Sequence, residues 1–151
     1  MTLDQSSDPV RRRLRDDLYS DAMLLADEAR AYFDEIGRKE SAGLGPIDRV
    51  RFSCESLKVT TRLMHVVAWL LTQRAVAAGE IAAVTARSPS RRLGDAPVTE
   101  GDVFAMLPAR AQELVAASVD LHRRTARLNM ALDAITDSPA RAMQRRLVGA
   151  F

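Results

Sequence analysis

Residues 47–78 read IDRVRFSCESLKVTTRLMHVVAWLLTQRAVAA. Within them Ile47, Val50, Cys54, Leu57, Thr61, Met64, Ala68, Leu71 and Ala75 recur at alternating steps of three and four, the period of an α-helix and not of a strand. At 1.5 Å per residue the helix would be roughly 48 Å long, and Gly79 stands where a C-terminal cap belongs. From Leu57 onward the apolar side chains cover roughly 200° of the helical wheel, about twice the stripe a surface helix needs. More than one neighbour must therefore cover it.

The flanking segments supply those neighbours. Upstream, Leu18, Ala22, Leu25, Ala29, Tyr32 and Ile36 share one face of a helix over 17–36, with Met23, Ala26 and Phe33 alongside and Gly37 at its end. Gly43-Leu44-Gly45-Pro46 breaks the chain before the long helix. Downstream, residues 80–86 add a short turn, and Ser88-Pro89-Ser90, Gly94 and Pro97 mark a flexible connection. Thr99 followed by Asp102 resembles a capping signal, but Pro108 interrupts any helix running from there. The main third helix is predicted from Pro108 to Ile135, on a seam of Ala111, Leu114, Ser118, Leu121, Thr125, Leu128 and Leu132 with a second stripe of Val115, Val119, Ala126 and Met130. Asp137-Ser138-Pro139 ends it. The expected architecture is all-α, an up-down three-helix bundle over 17–136, with a flexible N-terminal arm at 1–16 and a basic flexible tail at 137–151. Surplus apolar surface on the second and third helices predicts a homodimer.

Composition fits this reading. The chain has 151 residues, 47% of them hydrophobic and 28% charged, enough for one packed core and too apolar for disorder throughout. A formal net charge of +2 is spread among both signs rather than gathered into one field. Acidic residues such as Asp16, Asp17, Asp21, Asp27 and Glu28 lie early, and Arg123, Arg124, Arg127, Arg141, Arg145 and Arg146 lie late, a complementarity of segments or of partners. The lone Cys54 excludes an internal disulfide and suits a reducing cytoplasm. Met1 to Arg15 holds no signal-peptide core, and the run Val66-Val67-Ala68-Trp69-Leu70-Leu71 is too short to span a membrane.

Catalytic patterns are not evident. A nucleophile needs a base within hydrogen-bond reach, and Cys54 and His65 stand about 16 Å apart along one helix. Cys54 reads as a buried structural cysteine, and His65 and His122 lack the close spacings of a zinc site. No GxxxxGK[ST] or GxGxxG stretch offers a phosphate cradle. Neither cofactor nor metal is expected, and the chain reads as a protein-binding module rather than an enzyme. Trp69 sits among Lys58, Arg62, His65 and Gln73 on the wheel; it is either covered within the chain or anchors a partner, as tryptophans do at binding hot spots. The candidate protein-binding residues are Arg62, Val66, Trp69 and Gln73, and in the tail Arg141, Arg145, Arg146 and Phe151. The alternative is a nucleic-acid-associated helical regulator using the basic third helix and tail.

The run Glu55-Ser56-Leu57-Lys58-Val59-Thr60-Thr61-Arg62-Leu63-Met64, continued by Trp69-Leu70-Leu71-Thr72-Gln73-Arg74-Ala75-Val76 and Gly79-Glu80, resembles the signature of the RcdA family (regulator of CtrA degradation) of alphaproteobacteria. The likeness extends to Leu114-Val115, Ser118, Leu121-His122 and Arg127-Leu128. It implies a dimeric three-helix bundle that acts as an adaptor for the ClpXP protease, bringing cell-cycle regulators to it with the partner CpdR.

Overall fold

The computed structural model describes the backbone of residues 8–136 and 139–150, and the side chains of 9–134 and 143–150. The described residues form helices and connecting turns, with no strand among them. Three long helices, α1 (Asp8–Ala31), α3 (Pro46–Ala77) and α6 (Ala109–Thr136), each pack against the other two. Shorter pieces join them: a π-helical turn (Tyr32–Ile36), α2 (Gly37–Ala42), α4 (Ala83–Ala86), a 3-10 turn (Pro89–Arg91) and α5 (Gly101–Met106), with α7 (Pro139–Gly149) last.

α1 begins at Asp8, inside the stretch expected to carry no fold. Arg11, Arg12, Arg13 and Arg15 oppose the helix dipole at this end, so local sequence argues against the helix that forms there. At its other end the helix runs through Gly37 to Ala42 instead of stopping. Gly37 keeps helical geometry, φ −63°. It is glycine because a Cβ would come within 3.1 Å of Phe52 and of Tyr32. The π-turn just before it brings Tyr32 and Phe33 onto Phe52, ring centroids 6.5 and 5.5 Å away, in edge-on and tilted arrangements that favour aromatic pairs.

α3 starts on Pro46, whose missing N–H costs nothing at a first helical position. It ends in a Schellman closure at Gly79, φ +77°, where Gly79 N–H reaches Val76 O at 3.0 Å and Glu80 N–H reaches Ala75 O at 2.9 Å. Thr99 does not cap α5, since its hydroxyl is engaged elsewhere. Leu107-Pro108 separates α5 from α6.

The core comprises Leu18, Ala22, Ala29 and Tyr32 from the first helix, Phe52, Val59, Leu63, Val66, Trp69 and Leu70 from α3, and Ala111, Leu114, Val115, Leu121 and Leu128 from α6. α6 thus buries the seam its periodicity marks. α3 is turned the other way from its reading. Ile47, Val50, Leu57 and Met64 of the expected seam are 70, 63, 66 and 64% exposed, Leu71 is 44% exposed, and Cys54 is exposed rather than buried. The buried line is Phe52, Glu55, Val59, Arg62, Val66 and Trp69, itself spaced by threes and fours. Two of its six members are charged, and that made this side of the wheel look like a solvent face.

Candidate docking surface

The inward line of α3 is built around a polar cluster. Arg62, fully buried, donates from Nη2 to Pro97 O at 2.8 Å and Thr99 Oγ1 at 2.7 Å, from Nε to Pro97 O at 3.1 Å and from Nη1 to Ser118 Oγ at 3.2 Å. The Thr99 hydroxyl in turn donates a hydrogen bond to Glu55 Oε2 at 2.5 Å. Lys58 joins Glu55 Oε1 at 2.9 Å to Val98 O at 2.8 Å. Burial presses the Arg62 guanidinium below its ordinary pKa, and the Glu55 carboxylate opposes that shift. Among the described residues no buried side-chain polar atom lacks a partner. The cluster is therefore a satisfied network and not a reactive one.

Its effect is to strap the extended segment 93–100 across α3 and α6. His122 Nε2 lies 2.7 Å from Gly94 O, and His65 Nδ1 lies 3.0 Å from Asp95 O. Carbonyl oxygens only accept, so each of these ring nitrogens carries the proton. Gly94 has no side chain for a plain reason: a Cβ would fall 2.5 Å from His65 Nδ1. Both histidines hold backbone, and no group of three or more potential metal ligands occurs among the described residues.

These positions correct part of the candidate list. Arg62, Val66 and Trp69 are buried inside the chain, and Gln73 is half-buried. Of the two roles open to Trp69, internal packing is the one it plays. Arg145 and Arg146 are exposed on α7; Arg141 lies in the same helix, with its side chain outside the described residues, as is all of Phe151. Of the α6 bases, Arg124 is held by Asp120 at 3.1 Å and Asp21 at 3.2 Å, which weakens any claim of that face on a phosphate backbone.

What the chain does present is apolar. Ile47, Val50, Leu57, Met64 and Leu71 form a stripe along the outer side of α3. Beside it runs a groove of about 580 Å³ between α1 and α3, walled by Ala26, Ala29, Phe33, Met64, Val67 and Leu71. Sequence periodicity had found every residue of the stripe and assigned it to the wrong side.

Comparison with known proteins places the chain. The family described as "Protein of unknown function (DUF1465)" matches residues 6–151. The chain belongs to that family. Among solved structures, the DUF1465 chain is similar to the crystal structure of RcdA from Caulobacter crescentus CB15, with 34% sequence identity, 77% of this chain and 88% of that one covered, and a TM-score of 0.60. The RcdA resemblance read from α3 and α6 is thereby confirmed. No match was found among curated proteins. Among the described residues, no helix is long and apolar enough to cross a membrane.

Proposed function

We propose that this chain is a non-enzymatic, cytoplasmic adaptor that helps deliver cell-cycle regulators to the ClpXP protease, together with an accessory regulator of the CpdR kind. The observation that carries this reading is the likeness to RcdA across most of both chains. The satisfied polar interior agrees with it, because the buried charges Arg62 and Glu55 serve to hold a strap. An adaptor needs only modest contacts if it makes two at once, since the second then forms at the high effective concentration set by the first.

In this reading the fold is an up-down three-helix bundle that pairs with a second copy through the outer stripe of α3. Ile47, Val50, Cys54, Leu57, Thr61, Met64, Ala68 and Leu71 keep the heptad register of a coiled-coil seam. That seam would form the centre of an interface, for which a standard stable pairing buries about 800 Å² per partner. α7 acts as a further docking segment, with Met143, Leu147, Val148, Arg145 and Arg146 all exposed on it.

The test is a reconstituted degradation assay with ClpXP, a CpdR-type regulator and candidate cell-cycle substrates. The chain is expected to raise the rate of degradation of at least one of them. If it neither binds these components nor changes any rate, the adaptor reading fails.

A further inference from the structure

We infer that the cavity between the start of α1 and the end of α3 is a docking site for an acidic peptide segment, whose carboxylates are received by Arg12, Arg15 and Arg74. The inference deepens the adaptor reading and rests on it for the occupant being a protein segment. The cavity itself rests on nothing but the fold.

Its volume is about 630 Å³, and its walls are Arg12, Arg15, Asp16 and Tyr19 from α1 with Leu70, Arg74, Ala77 and Ala78 from α3 and its cap. Three arginines and one aspartate thus share its walls. The aspartate, Asp16, is turned to Arg74 at a long 3.5 Å, and both side chains are more than half exposed, so the pair is weak and open to exchange. Arg12 and Arg15 have no carboxylate partner among the described residues, although α1 carries Asp16, Asp17 and Asp21 within two turns. Arg74 is also positioned in advance. Its guanidinium carbon lies 4.7 Å from the centre of the Tyr19 ring, a cation-π contact that holds the planar fork while leaving its N–H groups able to bind a carboxylate.

Charge and shape together choose the occupant. An excess of two positive charges in a confined space calls for a short run of carboxylates, whose stems can lie on Tyr19 and the alanines of the α3 end. Duplex DNA presents a charge about every 1.7 Å along a broad, stiff surface that a cavity of about 630 Å³ cannot take in. A free inorganic anion would satisfy the guanidinium groups but leave the apolar part of the walls unused.

The experiment uses the full chain and a fluorescent ten-residue peptide alternating glutamate with glycine and serine, followed by anisotropy at low and physiological salt. Saturable binding that weakens with salt is expected, with about a tenfold or greater loss in Arg12→Gln, Arg15→Gln and Arg74→Gln, each checked by circular dichroism for an intact helical fold. Arg145→Gln/Arg146→Gln is expected to bind as the parent does. Three outcomes overturn the inference: equal binding of the same peptide with glutamine in place of glutamate, unchanged binding in all three pocket variants, or loss of binding in the α7 variant instead. Inorganic phosphate or a duplex oligonucleotide that displaces the peptide at lower concentration than unlabelled peptide does would overturn the choice of occupant. The assay contains no protease, so its failure leaves the delivery assay above to decide the adaptor reading by itself.

Discussion

Trp69 and Met64 lie five positions apart on α3 and should respond oppositely to truncation. Trp69 is 3% exposed, on the buried line of α3, and Met64 is 64% exposed on the outer stripe. Trp69→Ala removes a large aromatic from a packed core, a change that costs about 3–5 kcal/mol. For a domain of this size each kcal/mol moves the melting temperature by roughly 2–4 °C, so a fall on the order of 6–20 °C is expected. Met64→Ala removes a side chain that one copy leaves largely in water, and surface changes of that kind stay within about 0.5 kcal/mol. Its effect should fall on self-association instead. Urea unfolding followed at two protein concentrations tenfold apart separates the two, because only a dimer-linked stability depends on concentration. The expected result is a lower midpoint for Trp69→Ala at both concentrations, and for Met64→Ala a loss of the concentration dependence with weaker association in sedimentation. A Met64→Ala variant destabilised by several kcal/mol at low concentration, beside an unaffected Trp69→Ala, would refute the assignment of the two faces.

Other variants probe separate links. Glu55→Ala should destabilise the fold by about 1–3 kcal/mol in urea, because it leaves the Thr99 hydroxyl without its acceptor and removes the carboxylate that offsets the burial of Arg62, whereas Lys58→Ala, which touches the same carboxylate from the half-exposed side, should cost about 1 kcal/mol. Gly94→Ala forces a Cβ against His65 and should loosen the strap, seen as faster amide exchange over 93–100 with an overall loss of about 1–3 kcal/mol. At Gly79, alanine must adopt φ +77°, for a cost of roughly 1–2 kcal/mol confined to the end of α3. Deleting 138–151 should leave the helical content and the sedimentation of the remainder intact while reducing co-purification with the protease machinery; an unchanged yield of that complex would take the docking role away from α7.

Periodicity located all three long helices, because each carries apolar residues at a regular three-four step over more than five turns. It also gave the inner face of α6, where the seam residues Ser118 and Thr125 are small enough to be buried with their hydroxyls bonded to Val115 O and Leu121 O. It failed where chemistry contradicts hydropathy. Arg62 reads as a surface residue, yet the carbonyl of Pro97 and the hydroxyls of Thr99 and Ser118, 35 to 56 positions away along the chain, replace its water. No local signal announces such partners. The helical start of α1 was hidden too, because an arginine run without apolar periodicity gives no sign of the helix that forms there. The cavity at Arg12, Arg15 and Arg74 went unread because its two walls come from separate helices and only the fold brings them together.

α3 carries two lines at heptad spacing, and a bundle of three helices can bury only one of them. Orienting the helix by hydropathy alone would turn Ile47, Val50, Leu57 and Met64 inward and leave Arg62 and Glu55 in water, where neither charge costs anything. The observed orientation instead buries Phe52, Val59, Leu63, Val66, Trp69 and Leu70, a bulkier set that includes both large aromatics of the helix. It can do so only because segment 93–100, together with Ser118 and Lys58, satisfies the two charges that come with that side. The strap thus fixes which face of α3 is internal, and by doing so it commits the other face to the outside. An apolar line left in heptad register along a helix of 32 residues is then exposed surface, the kind the proposed self-association would cover. Interior charge and exterior stripe are two consequences of one orientation, so a strap variant that frees Arg62 should also weaken self-association, although Gly94 lies on neither.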